Sequence, residues 1–524
     1  MPRLAPAAQA DRMAVWRALT GAALAGALQG LAMAWPMGGQ ASGTLQILSL
    51  LALAWLLLGL QTGPGAQRWR LAAGLGLAFA LCWLAATFWW LHISMAVYGG
   101  MPAALSVLAV LALAGALGLY YALATAIWVR RASPQRPTAA ALAFAALWTL
   151  AELARGHFFT GFPWGASGYA HTDSLLAVWA PWLGVYGMGA LAAFVAMRLA
   201  QLGREPQARL GGLRDVAVVL GLSLGLLAWA PSFTQDSGAL RVELLQGNVA
   251  QDQKFEAATG VRDALIWYSE RLVQTEAELV VAPETAIPVW PQAMPGDYWA
   301  RLRQAVAQRD RLALVGLPLQ DAPGVYTNSA LALGDPAAEA WRYDKHHLVP
   351  FGEFVPMGFA WFVRQMQIPL GDFAAGPLNA PSLAWKGQRL APMICYEDLF
   401  GEELAARFAD PAQAPTVLAN MSNIAWFGDT VAIDQHLAIS RLRAMELGRP
   451  VIRATNTGAT ALIDARGQVQ DRLPVFVRGS LRGLVQGQQG LTPFARWAAP
   501  FGQLPLALLA LALALWGLWP RRRD

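Results

Sequence analysis

Cys395 closes the apolar run Leu390-Ala391-Pro392-Met393-Ile394 and is followed by Tyr396, Glu397 and Asp398. The only other cysteine, Cys82, lies deep in a hydrophobic segment, so no disulfide framework is expected and the Cys395 thiol reads as free. The thiolate is the nucleophile, and an ordinary thiol, with a pKa of about 8.5, needs a partner to form it. Two other segments offer partners. Val280-Val281-Ala282-Pro283-Glu284 runs a strand-like stretch into a carboxylate, and Tyr343-Asp344-Lys345-His346-His347 presents an ammonium. Glu284 would take the thiol proton and later return it to a leaving group. Lys345, with the backbone N–H of Tyr396, would hold the thiolate and then the oxyanion of a tetrahedral intermediate. The expected first product is a thioester.

Each residue also has a plainer reading. A cysteine flanked by apolar residues often only packs, Glu284 could cap a helix after Pro283, and Lys345 could be a solvated surface lysine. The chain has just three lysines, Lys254, Lys345 and Lys386, which weakens that last reading. His346 and His347 would face opposite ways in an extended segment, and no His or Cys spacing matches a zinc signature. No metal or other cofactor is expected. Gly184-Val185-Tyr186-Gly187-Met188-Gly189 lies inside an apolar segment and is read as a helix-packing stretch.

The elements that must position this chemistry divide the chain. Hydrophobic residues are 56% of the sequence and charged residues 14%, against about 25% charged in soluble globular proteins. This is the composition of a membrane protein, and the net charge of +6 is not read as a nucleic-acid signal. Apolar stretches near spanning length run at 13–35, 45–61, 71–94, 103–129, 138–155, 174–197, 216–230 and 502–519. The fifth carries Glu152, with Arg155 one turn on as a partner. Arginines fill every second connection, and 36–44, 95–102 and 156–173 contain neither Lys nor Arg. By the positive-inside rule both termini are cytoplasmic and everything between the seventh and eighth spans lies outside. Trp128, Trp516 and Trp519 stand beside flanking arginines, as interfacial aromatics would.

Domain boundaries follow: 1–230 a membrane domain of seven spans, 231–497 an outward catalytic domain, and 498–524 a last span with a basic tail. In 231–497, strands are predicted at Leu240–Gln246, Glu278–Ala282, Leu312–Leu317, Tyr326–Leu333, Leu390–Cys395, Val417–Met421, Val451–Ala454 and Thr460–Asp464. Helices are predicted at Gly260–Glu278, Asp297–Gln308 and Ile433–Leu447. Such alternation suggests a layered α/β fold.

At this point the residues resemble a known family. The Glu-Lys-Cys order resembles the nitrilase (carbon–nitrogen hydrolase) superfamily. A domain of that kind inserted before the last of eight spans resembles the bacterial apolipoprotein N-acyltransferase family, across essentially the whole chain. The most specific pieces are Lys345 with His347-Leu348-Val349-Pro350-Phe351-Gly352-Glu353-Phe354-Val355-Pro356, and Ile394-Cys395-Tyr396-Glu397. Others are Ser422-Asn423 with Ala425-Trp426-Phe427-Gly428, Arg443-Ala444-Met445-Glu446 with Arg449-Pro450, and Gly161-Phe162-Pro163-Trp164 with Gly168-Tyr169. The resemblance implies an αββα sandwich beside about eight spans, a Glu284, Lys345, Cys395 triad, and supporting roles for Glu353, Tyr396 and Glu397. Trp164, Tyr169, Phe255, Asn328, Phe351, Trp361 and Trp426 are the expected substrate contacts. The implied reaction moves an acyl chain from a phospholipid to the cysteine, then to the α-amine of a diacylglyceryl-cysteine on a lipoprotein. The implied setting is the bacterial inner membrane, with the catalytic domain periplasmic; the residues leave the oligomeric state open, with a monomer as the default expectation. Two positions depart from the family pattern: Ile424 stands where Asp is frequent, and Phe255 where Trp is common.

The physics of the donor fits a bilayer location. Burial of about fifteen acyl carbons holds a chain in lipid by about 12 kcal/mol, so thiol and ester must meet at the membrane surface. Phe351, Phe354, Met357, Phe359, Trp361, Phe362, Met366, Ile368 and Phe373 either form a lid that dips into lipid or fill the sandwich core. An apolar tunnel that keeps water from the thioester is a further expectation. Two other activities remain open at the level of sequence: a membrane-anchored nitrilase-like amidase, and a non-enzymatic transporter or receptor with an outward sensing domain.

Overall fold

The structure is a computed structural model and describes residues 6–61, 67–205, 208–334, 341–359 and 372–519, with backbone alone for 6–11. The chain forms two compact units. One comprises Met1–Trp89, Ala104–Pro231 and Gln503–Asp524, the other Trp90–Ala103 and Ser232–Gly502.

The first unit is helical. Gly43–Gln61, Arg68–Phe88, Ala103–Arg131, Pro137–Thr160, Leu175–Arg204 and Arg209–Trp229 are each long and apolar enough to cross a membrane, and Leu504–Leu518 would add a seventh if counted as one bent span with Pro493–Phe501, which belongs to the other unit. The helix Pro6–Met33 occupies the first expected span but is not among these; Arg17, Gln29 and several glycines dilute its apolar character. The seventh span, short in the sequence reading, starts earlier and carries Arg214 and Asp215 inside the helix. Arg198 pairs with Asp215 at 3.0 Å, which offsets the cost of burying both.

Two expectations for this unit change. Trp128 is not an interfacial aromatic: it is fully buried and its indole N–H donates to the Ala140 carbonyl at 2.7 Å. Trp516 does lie under a guanidinium, that of Arg136, 5.0 Å from its ring centre. Glu152 and Arg155 do not pair directly. Glu152 accepts from the Ser167 backbone N–H at 2.7 Å and hydroxyl at 2.9 Å, while Arg155 donates to Tyr121 and to the carbonyls of Phe162 and Trp164. Both residues therefore fasten the 156–173 segment to the bundle. A Cβ on Gly189 would lie 2.6 Å from the Ser167 hydroxyl, so close packing uses that glycine.

The second unit holds two six-stranded sheets. The first is built from β1 (Thr234–Gln246), β2 (Leu279–Val281), β3 (Leu312–Ala322), β4 (Val325–Leu333), β5 (Arg342–Asp344) and β12 (Gly479–Gly490). The second contains β6 (Leu383–Trp385), β7 (Gln388–Ile394), β8 (Val417–Ser422), β9 (Val451–Thr455), β10 (Ala461–Ile463) and β11 (Val469–Arg472). Their orders are β12-β1-β2-β3-β4-β5 and β11-β10-β9-β8-β7-β6. Within them β1, β2 and β3 run parallel, as do β7, β8 and β9.

A parallel strand needs both faces covered, and both are. Leu244, Val281 and Leu314 of one sheet share a core with Ile394, Met421 and Ala454 of the other. The outer face of the first sheet packs Val280, Ala313 and Val315 against Tyr268, Leu272, Leu302 and Val306 of the helices Arg262–Gln274 and Tyr298–Ala307. The helix Ala432–Leu447, buried along nearly its whole length, lies beside β9 on the other sheet. This is the αββα layering expected from the resemblance.

Candidate active site

Each of the three chemical residues stands just past a strand. β2 ends at Val281, and the chain turns at Pro283 to carry Glu284 inward, with Thr285 at φ +49°. The turn lies against β3: a Cβ on Gly316 would sit 2.4 Å from the Pro283 carbonyl oxygen, so only glycine fits there. Lys345 follows β5 directly, and its backbone N–H donates to the Asn328 carbonyl at 2.8 Å. Cys395 follows β7 and opens the short turn Cys395–Leu399 at φ +52°, a conformation that few non-glycine residues adopt. Strain of this kind persists only where neighbours fix it, and here they do. The Glu397 carboxylate accepts from the Ile394 backbone N–H at 2.5 Å, while His436 Nε2 lies 3.3 Å from the Cys395 carbonyl oxygen.

The side chains converge. Lys345 Nζ lies 2.9 Å from Glu353 and 3.5 Å from Glu284 Oε1. The Asn328 amide donates to Glu284 Oε1 at 2.8 Å and to Glu353 Oε1 at 2.7 Å, and so bridges the two carboxylates. The other oxygen of Glu284 accepts from the Asn423 backbone N–H at 2.9 Å, and that of Glu353 from the Val349 N–H at 2.7 Å. Burial opposes the Lys345 charge, but Glu353, then Glu284 and Cys395, outweigh it and hold the ammonium above its ordinary value. Burial, and then Glu284, push the Cys395 thiol up to about 12, while Lys345 and the Ser422 hydroxyl pull it down. The resting sulfur is thus a thiol, and a neighbouring base must take its proton as it attacks.

Glu397 ties two loops together. Besides Ile394 it accepts from the Tyr343 hydroxyl and the His346 backbone N–H, both at 2.7 Å, so the Lys345 loop and the Cys395 turn share one carboxylate. Tyr396 is buried, its ring against His347 and Phe400. The two histidine rings part company: His346 Nδ1 meets the Gly376 carbonyl at 2.7 Å, and His347 Nδ1 meets Glu403 at 3.0 Å.

The expected substrate contacts fall in both units. Asn328 lies between the carboxylates. Phe255 is partly exposed beside Lys254, Phe351 is half-buried at φ +64°, and Trp426 packs edge-on against Tyr98, ring centres 5.7 Å apart. Trp164 and Tyr169 are buried within the helical unit. Ile424 is buried too. Trp361, Phe362, Met366 and Ile368 lie outside the described residues. Of the neighbouring stretch, Met357 is 98% and Phe359 44% exposed, so these two do not fill the sandwich core.

Sequence reasoning missed several groups. Lys254 is 2% exposed and its Nζ donates to the Glu284 carbonyl at 3.3 Å; the scarcity of lysines was a signal for it. Gln251 accepts from the Asn423 side chain at 2.8 Å, and Asn456 donates to Asn423 Oδ1 at 3.1 Å. Behind Cys395, Asp398 accepts from Ser440 at 2.6 Å and from His436 Nε2 at 2.9 Å. Arg453 donates to His436 Nδ1 at 2.9 Å. Since arginine only donates, the His436 proton must sit on Nε2.

Residues 14–198 match the family described as apolipoprotein N-acyltransferase N-terminal domain, and residues 241–486 match carbon-nitrogen hydrolase. A protein named apolipoprotein N-acyltransferase from Verminephrobacter eiseniae (strain EF01-2) is 52% identical over 503 residues, covering 92% of each chain. One of the same name from Ralstonia nicotianae (strain ATCC BAA-1114 / GMI1000) is 48% identical, covering 89% of this chain and 88% of its own. Among solved structures, a mutant of the Nesterenkonia AN1 amidase from the nitrilase superfamily is 17% identical. It covers 51% of this chain and 96% of its own, with a TM-score of 0.36. The chain belongs to the apolipoprotein N-acyltransferase family.

Proposed function

We propose that the protein transfers a fatty acyl chain from a phospholipid, through a thioester on Cys395, to the N-terminal α-amine of diacylglyceryl-cysteine in an apolipoprotein. The observation that carries this reading is the Lys345–Glu284 pair at 3.5 Å, with the Lys345 loop and the Cys395 turn joined through Glu397, in a chain of this family.

The proposed path conserves protons. Glu284 takes the thiol proton as sulfur attacks the ester carbonyl. Lys345 and the Tyr396 N–H hold the oxyanion, and Glu284 passes the proton to the departing lysophospholipid hydroxyl. The acceptor then arrives as an ammonium. Glu284 takes one of its protons, the nitrogen attacks the thioester, and a second proton restores the thiol as the amide forms. One proton is released to solvent per turnover. Glu353 and Asn328 act through Lys345 and Glu284, holding them at their stations. The substrates are a lipid and a lipoprotein, and the setting is the bacterial inner membrane. The finer reading places both termini in the cytoplasm and the catalytic unit in the periplasm, with the protein working as a monomer.

The test is incubation of the full chain with acyl-labelled phospholipid, followed by mass analysis of the Cys395 peptide. A hydroxylamine-labile acyl adduct on Cys395, absent from Cys395→Ala, is expected. An unlabelled Cys395 in a protein that cleaves small amides would instead identify an amidase.

A further inference from the structure

The buried ammonium of Lys254 has no place in the proton path just described. Its loop is fixed. The Val249 N–H donates to Asn456 Oδ1 at 3.0 Å, the Asn456 amide donates back to the Val249 carbonyl at 2.8 Å, and Gln251 is held by Asn423. Asn423 also donates its backbone N–H to Glu284. The loop bearing Lys254 is therefore fastened to the same residues that orient the base.

What Lys254 lacks is a carboxylate of its own. Its hydrogen bond runs to the Glu284 backbone carbonyl, and among the described residues no carboxylate oxygen lies within ion-pair distance of it. A desolvated ammonium with one neutral acceptor is costly unless negative charge stands near. Glu284 and Cys395 are the groups that favour its charge.

The other charges around the thiol are already matched. Lys345 is paired with Glu353 at 2.9 Å, and Arg453 lies 3.5 Å from Asp398, with His436 between them held neutral by burial and by Arg453. Glu397 is answered by its hydroxyl and N–H donors and by Arg407. The negative charge that Glu284 and the thiol share, as one proton moves between them, has a share of Lys345 and, at the sulfur, of Arg453, both of which are already paired with other carboxylates. We infer that Lys254 is a positioning residue for the reaction: its positive charge, held against the Glu284 turn, stabilises the thiolate formed at Cys395. The inference rests on Glu284, Lys345 and Cys395 being the reacting trio.

The experiment reads the thiolate directly and needs no lipid substrate, so its outcome is separable from that of the phospholipid test. The full chain in detergent, with Cys82→Ala, is treated with iodoacetamide across a pH series, and the rate at Cys395 is followed by mass analysis. Lys254→Gln keeps a donor for the Glu284 carbonyl but removes the charge, and Lys254→Arg keeps the charge. At an effective dielectric near 20 a unit charge shifts such an equilibrium by about one pH unit even from about 12 Å, and by more at closer range. Lys254→Gln is therefore expected to alkylate at least about ten-fold more slowly below about pH 8, where the Lys254 ammonium is charged. Lys254→Arg is expected to track the unsubstituted protein below about pH 8. Burial lowers the Lys254 ammonium to about 8, so the deficit of Lys254→Gln should shrink above that pH, as the unsubstituted protein loses the same charge. A Lys254→Gln profile that superimposes on that of the unsubstituted protein would overturn the proposal. So would a Lys254→Arg profile as depressed as that of Lys254→Gln, since the hydrogen bond or the fit, not the charge, would then matter.

Discussion

At the scale of single residues, the site depends on donors that contribute no reacting atom. Asn328 is the clearest. Its sequence neighbourhood, a strand-like run, gives no hint that its amide spans two carboxylates on different loops. The sequence reading gave Asn328 only as an expected substrate contact, and its bridge was not foreseen because the reach of a side chain across a sheet edge is not written in local pattern. Glu284 and Cys395 stood out for the opposite reason: each is a reactive type placed just past an apolar run, where strand ends deliver side chains to a rim, while Lys345 stood out as one of three lysines. The bridging role makes a definite prediction. Asn328→Asp removes both hydrogen bonds and sets a third carboxylate beside Glu284 and Glu353. Like charges at such distances oppose ionisation and repel, at a cost of about 2–3 kcal/mol. Acylation of Cys395 by labelled phospholipid should fall by about two orders of magnitude, and Asn328→Ala should fall less. Equal losses in the two variants would mean that the amide merely fills space.

At the scale of elements, the turn Cys395–Leu399 is held from below by a buried network. Asp398, His436, Ser440, Asn420 and Arg453 come from the turn, the helix Ala432–Leu447, β8 and β9. The helix and both strands were visible in the sequence through their apolar patterns, but the network was not, because its members lie far apart in the chain. β12 was missed for a different reason. Gly479–Gly490 is rich in glycine and glutamine, so alternation is blurred, yet Leu481 and Val485 still face the core. Its glycines admit close neighbours: a Cβ on Gly487 would sit 1.9 Å from the Gln388 side chain, which reaches across to the carbonyl of Ser237 at 2.9 Å.

The network under Cys395 also fixes a pH dependence. Burial works against the Asp398 charge, but His436, Arg453 and Ser440 outweigh it and keep the carboxyl below its usual range. A depressed carboxylate contributes stability above its unfolded pKa, about 3.9, and that contribution is lost as pH falls through the lower folded value. Asp398→Asn leaves the Arg453 charge buried without its counter-ion, a change that costs about 3–5 kcal/mol. Thermal unfolding of the full chain in detergent should show a lower midpoint for Asp398→Asn at neutral pH. The gap to the unsubstituted protein should narrow in acid below the carboxylate range. A gap that stays constant with pH would remove the charge of Asp398 from the account.

At the scale of the whole molecule, two unrelated observations bear on which side of the membrane the chemistry lies. The first is electrostatic: the connections at 36–44, 95–102 and 156–173 carry no Lys or Arg, while the alternate connections carry several, which is the bias that orients helices in the inner membrane. The second is packing. The segment Trp90–Ala103, between two apolar helices, belongs to the catalytic unit. The Trp90 indole donates to Gln435 at 3.1 Å, and its ring lies 4.2 Å from that of Phe427. A segment packed on the catalytic unit must share its side of the bilayer. In the proposed topology, the connection at 95–102 that charge assigns to the outside is also one that packs on the unit holding Cys395. Single cysteines in a Cys82→Ala, Cys395→Ala chain test the arrangement. Met37→Cys, in the first uncharged connection, and Met357→Cys, on the catalytic unit, are expected to react with a membrane-impermeant maleimide in intact spheroplasts. Gln135→Cys, among Arg130, Arg131 and Arg136, should react only after lysis. A Met357→Cys that stays silent until lysis would put the thiol on the cytosolic face, away from the outer-leaflet lipid, and the proposed acyl donor would lose its access.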